Sequence, residues 1–150
     1  MSAAANPLPL IKLWGTLLVP LQGEVTDDLA ERIHSEVLKI VYDSEIENVI
    51  IDITGLWLLD SHICAMLAGL GASSKLMGAR AVICGMSAEI AQTLQMMDIG
   101  LDSVESALNV EEAFERIGIT VAKTDANGKA GKAKPTKVAS DDNSEPLEER

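Results

Sequence analysis

Cysteine, histidine and basic side chains are all scarce in this chain of 150 residues, and each scarcity removes a class of function. Two cysteines, Cys64 and Cys84, are too few and too far apart for a disulfide framework, so they read as buried thiols. Two histidines, His34 and His62, occur with no Cys-x-x-Cys or His-x-x-x-His spacing, which leaves no metal-site pattern. No apolar run approaches the roughly 18 residues of a membrane span, and Met1-Ser2-Ala3-Ala4-Ala5-Asn6-Pro7 lacks the basic start of a secretory signal. A cytoplasmic location, with no membrane partner, is the expectation. Residues 1–119 carry six basic side chains against seventeen acidic ones, which accounts for the whole net charge of −11. Such a surface repels phosphate backbones, so nucleic acid is a poor partner and a basic protein a better one.

An apolar fraction of 47% suits one globular domain with a sizeable core. Leu10 to Trp14 and Leu17 to Leu21 read as two strands joined by a tight turn at Gly15-Thr16, with Pro20 near an end or edge. Thr26 caps a helix with Asp27 and Asp28 in its first turn and Leu29, Ile33, Val37, Ile40 and Val41 on one face, ending near Asp43-Ser44. Val49 to Ile53, short and rich in β-branched residues, reads as the central strand.

Ser61 to Met77 has Ile63, Met66, Leu67, Leu70 and Leu76 at helical spacing, with Ala65, Ala68, Gly69, Gly71 and Ala72 as a small-residue surface and Gly78 as the stop. Ala79 to Cys84 is a further strand. Ser87 caps a helix from Ala88 to Met97, ending near Gly100, and a brief extended piece surrounds Val104. Asn109, with Glu112 three residues on, starts a last helix that ends at Gly118. The order ββαβαβα(β)α predicts an α/β fold whose mostly parallel sheet is made mixed by the first hairpin. Residues 1–7 read as a flexible start and 8–119 as the domain. Residues 120–150, polar and without periodicity, read as a disordered charged tail.

Enzymatic patterns fail one by one. Asp60-Ser61-His62 spells a triad, but consecutive helical residues point about 100° apart and cannot relay a proton. Gly69 to Lys75 lacks the spacing and strand-to-helix context of a phosphate loop. Asp52 and Asp60 do not form an acid–base pair.

Ser61 stands out: it follows a strand and the loop Leu56-Trp57-Leu58-Leu59-Asp60, where a helix should begin. Two readings fit. Asp60 and Ser61 are an ordinary N-cap and first helical residue, or Ser61 is a phosphoacceptor, since free N–H groups and the helix dipole favour an anion there. Leu56, Trp57, Leu58 and Leu59 are likewise either a lid on the core or an exposed docking patch.

The strand Val49-Ile50-Ile51-Asp52-Ile53, Asp60-Ser61 at a helix start, Ser74 to Arg80 and Glu89 to Leu94 together resemble a STAS domain over roughly residues 8 to 119. Within that family the chain is similar to the small stand-alone stressosome type, the RsbS type. The resemblance implies a sheet of four, or five, strands with about four flanking helices, no catalytic activity and no cofactor. It implies phosphorylation of Ser61 by a serine/threonine kinase of the histidine-kinase-like ATPase class, which is held while Ser61 is bare, with Asp60, Leu56 and Trp57 beside it in the docking surface. Larger STAS paralogues with sensory N-terminal domains, self-association and a resetting PP2C-type phosphatase complete the implied partners. Thr93 sits where the larger paralogues carry a second phosphorylated threonine, though it also reads as a helix residue bonding back to the preceding turn. The rival readings are a stand-alone anti-anti-sigma factor that binds an anti-sigma kinase without a large assembly, and an enzyme with Ser61 as nucleophile.

Overall fold

The computed structural model describes residues 9–98 and 100–120. The expected flexible start, 1–7, and all but Thr120 of the expected tail lie outside the described residues. The elements are β1 (Ile11–Leu13), β2 (Thr16–Gly23), α1 (Asp27–Asp43), β3 (Asn48–Leu56), α2 (Ser61–Leu76), β4 (Arg80–Cys84), α3 (Ala88–Met96), β5 (Val104–Ala107) and α4 (Val110–Arg116). The five strands lie in sequence order, β1 antiparallel to β2 and every later pair parallel. Because the order never reverses, right-handed crossovers put α1, α2 and α3 on one face of the sheet. The expected α/β fold is present, with five strands and β3 at the centre.

Alternation along each strand then divides the core in two. Leu17, Val19, Val49, Ile51, Ile53 and Ile83 point into a large cluster with Ile33, Val37, Ile63, Leu67 and Leu70 of the helices. Ile50, Val82, Cys84 and Ala107 point the other way, against Ala113 and Phe114 of α4. Both cysteines are buried free thiols, as expected.

Each helix opens on the expected cap. Thr26, Asp60, Ser87 and Asn109 side chains accept from the N–H groups of Leu29, Ile63, Ile90 and Glu112. Glu112 accepts from the N–H of Leu108 rather than that of Asn109, so the expected capping box is displaced by one residue.

Several details differ from expectation. The hairpin turn is Trp14-Gly15, both residues at positive φ (49° and 70°), because a two-residue turn that matches strand twist needs left-handed backbone at both positions. Pro20 lies inside β2, but beyond the last residue paired with β1, Leu18, so its missing N–H leaves no ladder bond unmade. Leu76, expected on the buried face of α2, is 89% exposed, since the helix runs past the end of the core there. Of the two glycines in the small-residue surface, Gly71 meets a close neighbour, Val104 of β5, while nothing stands within 4 Å of a Cβ at Gly69. After α3 the left-handed residue is Asp98 (φ 52°), two residues ahead of Gly100.

Candidate functional site

Four parallel strands carry their following helices in the same direction, so the N-termini of α1, α2, α3 and α4 gather at one rim of the sheet. Ser61 lies on that rim as the first residue of α2. Its side chain is exposed, and among the described residues its hydroxyl has no hydrogen-bond partner. Asp60 supplies the cap: its Oδ1 accepts from Ile63 N–H at 2.8 Å, while its own carbonyl accepts from Cys64 N–H at 3.1 Å. One residue therefore holds the turn and the next is left available. The cap reading holds for Asp60, and the Ser61 side chain takes no part in it.

The loop ahead of them divides between lid and patch. β3 continues to Leu56, in register with Gly23 of β2, and the N–H of Trp57 donates to Gly23 O at 3.1 Å. Leu56 and Leu59 turn inward to the large core, whereas Trp57 (84% exposed) and Leu58 turn outward. The expectation that Leu56 belongs to a docking surface is corrected here. At 9% exposure it is a core residue, because β3 runs three positions further than Ile53. Leu58, adjacent to Trp57, is the outward residue that local pattern did not separate from its neighbours.

Acidic side chains stand at the starts of both α1 and α2. Asp27 and Asp28 occupy the first turn of α1, and His62 Nε2 lies 3.5 Å from Asp27 Oδ1, so the starts of α1 and α2 are neighbours. His62 thus faces a carboxylate on another helix, and no imidazole activates the Ser61 hydroxyl. A shallow groove of about 170 Å³ runs between these helices, lined by Ala30, Glu31, His34, His62, Ala65 and Met66. His34 sits part-buried at its floor, Nε2 3.3 Å from Ser73 Oγ. The field of Asp60 reaches inward: burial, and then the Asp60 carboxylate, push the Cys64 thiol above its ordinary range. His62 and Asp27 were not legible as a pair, because 35 residues separate them and only the topology brings them together.

Thr93 lies in the second turn of α3, part-buried, and its hydroxyl donates to Glu89 O at 2.9 Å. That is the back-bonding arrangement, which occupies the donor and draws the side chain onto its own helix. No group of three or more potential metal ligands is present among the described residues. No helix among them is long and apolar enough to cross a membrane.

The model of the STAS domain family matches residues 10–113. Among curated proteins, the RsbT co-antagonist protein RsbRA of Bacillus subtilis (strain 168) is 32% identical over 108 residues, which are 71% of this chain and 39% of that protein. The RsbT co-antagonist protein RsbRB of the same organism is 26% identical over 99 residues, 66% of this chain and 36% of its own. The chain thus spans less than half the length of the curated relatives it matches. Among solved structures, a serine-to-glutamate variant of Moorella thermoacetica RsbS superposes with a TM-score of 0.67 at 22% identity, covering 74% of this chain and 94% of that one. The Bacillus cell-fate determinant SpoIIAA in its phosphorylated form gives 0.57 at 19% identity, covering 72% and 96%. At such identities these structures establish the shared fold.

Proposed function

The chain belongs to the STAS domain family, and on that premise we propose that it is a non-catalytic, phosphorylation-controlled antagonist and scaffold of a stressosome, which holds a serine kinase until Ser61 is phosphorylated. The observation that carries the reading is the division of labour at the start of α2: Asp60 makes the cap while Ser61, exposed and unbonded, follows outward-facing Trp57 and Leu58 by four and three residues. The kinship to proteins named RsbT co-antagonists supports a partner of that kind.

The mechanism follows from charge and contact. Bare Ser61 is small and neutral, so a partner packs on Trp57 and Leu58 and buries the hydroxyl at little cost; exposed tryptophans are favoured anchors in interfaces. Phosphorylation adds about −1.5 to −2 charges. Within the domain the helix N-terminus tolerates that charge. At a bound interface it has to be desolvated beside the Asp60 carboxylate. Hundredfold release needs about 2.7 kcal/mol of lost affinity, within what one buried, unpaired charge removes. Thr93 is the weaker acceptor of the two, since phosphorylation there has to break its bond to Glu89 O.

The larger STAS paralogues are the assembly partners in this reading, and a PP2C-type phosphatase restores bare Ser61. The test is the affinity of the partner kinase, measured by calorimetry, for wild type, Ser61→Ala and Ser61→Asp. Retained binding by Ser61→Ala with weakening of about a hundredfold by Ser61→Asp is expected, and equal affinity for all three sinks the idea. Size-exclusion chromatography with a larger paralogue separates the stressosome reading, which requires a large common complex, from an antagonist that acts alone.

A further inference from the structure

The chain holds two histidines, and both cross the same seam, between α1 and α2. His62, in the first turn of α2, approaches Asp27 in the first turn of α1, Nε2 to Oδ1 3.5 Å. His34, two turns along α1, approaches Ser73 in the last part of α2, Nε2 to Oγ 3.3 Å. One contact therefore starts from each helix, and both histidines line the shallow groove that runs between them. Beneath it Ala30, Ile33, Ile63 and Met66 are buried, so the helices stay packed whatever the charge on the rings.

Histidine is the side chain whose charge ordinarily changes between pH 5 and 8. The two thiols do not share that range, because burial pushes both up, Cys84 to about 12. The two contacts answer a proton differently. His62 is exposed, and the charged groups at the adjoining helix starts are acidic: Glu24 ahead of α1, Asp27 and Asp28 in its first turn, Glu31 in its second, and Asp60 at the start of α2. Of the bases on these two helices, Arg32 is turned to Glu36 at 3.9 Å, and Lys39 and Lys75 lie in their far halves. The strands beneath turn Val19, Ile51 and Ile53 to the pair. A proton on His62 thus converts a neutral contact with Asp27 into an ion pair. His34 is part-buried and meets a neutral hydroxyl, which accepts from the ring in either charge state, so a proton there gains no new partner and burial opposes it. Glu31, one turn back and on the same groove, is the carboxylate on its side.

We propose that His62 and Asp27 form a proton-operated clasp between the starts of α1 and α2, an ion pair in acid and a weaker, neutral contact in alkali, while the His34–Ser73 contact and the apolar seam persist in both. The element it biases is the first turn of α1, whose leading backbone bond runs from Ala30 N–H to Thr26 O at 2.8 Å. The sign is that of a base with a carboxylate partner: the contribution is full where the imidazole is charged and is lost as pH rises through its titration. Since that turn and Ser61 lie on one rim of the sheet, acid tightens the rim that carries the serine. The clasp is independent of the kinase reading, and its test needs no kinase.

The experiment is a double-mutant cycle on the full chain: wild type, Asp27→Asn, His62→Gln and the two combined, unfolded by urea at low salt at about pH 5.5 and about pH 8. Both side chains are exposed and Thr26 supplies the cap of α1, so neither substitution removes a structural bond, and matching far-UV circular dichroism verifies the fold. In acid the pair is expected to lower the unfolding constant about threefold beyond the product of the single effects, and in alkali that factor should return to about one. Amide exchange at Ala30, corrected for its intrinsic rate, should be about threefold slower in wild type than in His62→Gln in acid and equal in alkali. A coupling that is the same at both pH values, or absent in acid, overturns the proposal. So does a pH response that His34→Gln abolishes and His62→Gln leaves intact, which assigns the proton to the other contact.

Discussion

A charge at position 61 and the carboxylate of Asp60 should be coupled, and the coupling can be measured without any partner. Asp60 performs two tasks, capping Ile63 N–H at 2.8 Å and carrying a negative charge at the helix start. Asp60→Asn keeps the first and removes the second, because Asn caps about as well as Asp. Ser61→Asp adds a charge about 6 Å away, and in water-like surroundings two such charges repel by about 0.7 kcal/mol. The helix dipole offers an added anion about 0.3–1 kcal/mol in the opposite direction. Ser61→Asp alone should therefore leave stability nearly unchanged, whereas in the Asp60→Asn background it should stabilise by about 0.3–1 kcal/mol. Urea unfolding of the four proteins in a double-mutant cycle gives the coupling directly. Near 10 mM salt it should approach 0.7 kcal/mol, and at 1 M, where the screening length is about 3 Å, it should nearly vanish. A coupling below about 0.2 kcal/mol at low salt, or one that salt does not reduce, refutes the reasoning that the two groups share one helix terminus. Asp60→Ala, which loses the cap itself, should cost about 1 kcal/mol regardless of salt.

Three further outcomes are expected. Gly71→Ala should destabilise by about 1–3 kcal/mol in urea titration, because a Cβ there overlaps the stiff Val104 side chain; Gly69→Ala, with nothing within 4 Å, should instead stabilise by up to about 1 kcal/mol. Glu45 holds a left-handed conformation (φ 51°) after α1, so Glu45→Gly should raise the thermal midpoint, with a gain of about 1 kcal/mol. The Arg80 guanidinium, bonded to Glu105 at 2.6 and 2.7 Å, holds that carboxyl below its usual range. A depressed carboxylate stabilises the fold above its unfolded pKa and loses that contribution as pH falls through the folded value, so below about pH 4.5 the stability of Glu105→Gln should fall less steeply with acid than that of wild type.

The features that sequence pattern reached are those decided within a few residues. All four N-caps were legible because a cap is a side chain accepting from an N–H three positions on, and the central strand because β-branched residues between polar bounds fit a strand covered on both faces. What escaped depends on distant partners. The sides taken by Leu56, Trp57 and Leu58 follow from the register of β3 on β2, which extends to Gly23 and Leu56 after a shift near Leu21. Leu76 has the spacing of a core residue but lies where α2 has outrun the sheet. Glu45 and Asp98 close helices in the backbone conformation that glycine takes most easily, and nothing in their side chains announces it. Ser61 was legible as a position and Asp60 as its cap, but the exposed, unbonded state of the serine hydroxyl was not, because it depends on which neighbours the fold brings to that rim.

The lone antiparallel strand also fixes which ends of the domain can be used as handles. β1 leads down towards the hairpin turn while β2 to β5 climb to the rim of Ser61, so the amino-terminal approach at Pro9 comes from the Ser61 side and the departure at Thr120 is on the far side. A bulky label or surface anchor joined after Thr120 leaves Ser61, Trp57 and Leu58 open to a large visitor, whereas the same addition ahead of Pro9 crowds them. Attachment at Thr120 is accordingly the orientation in which traffic at Ser61 can be watched undisturbed.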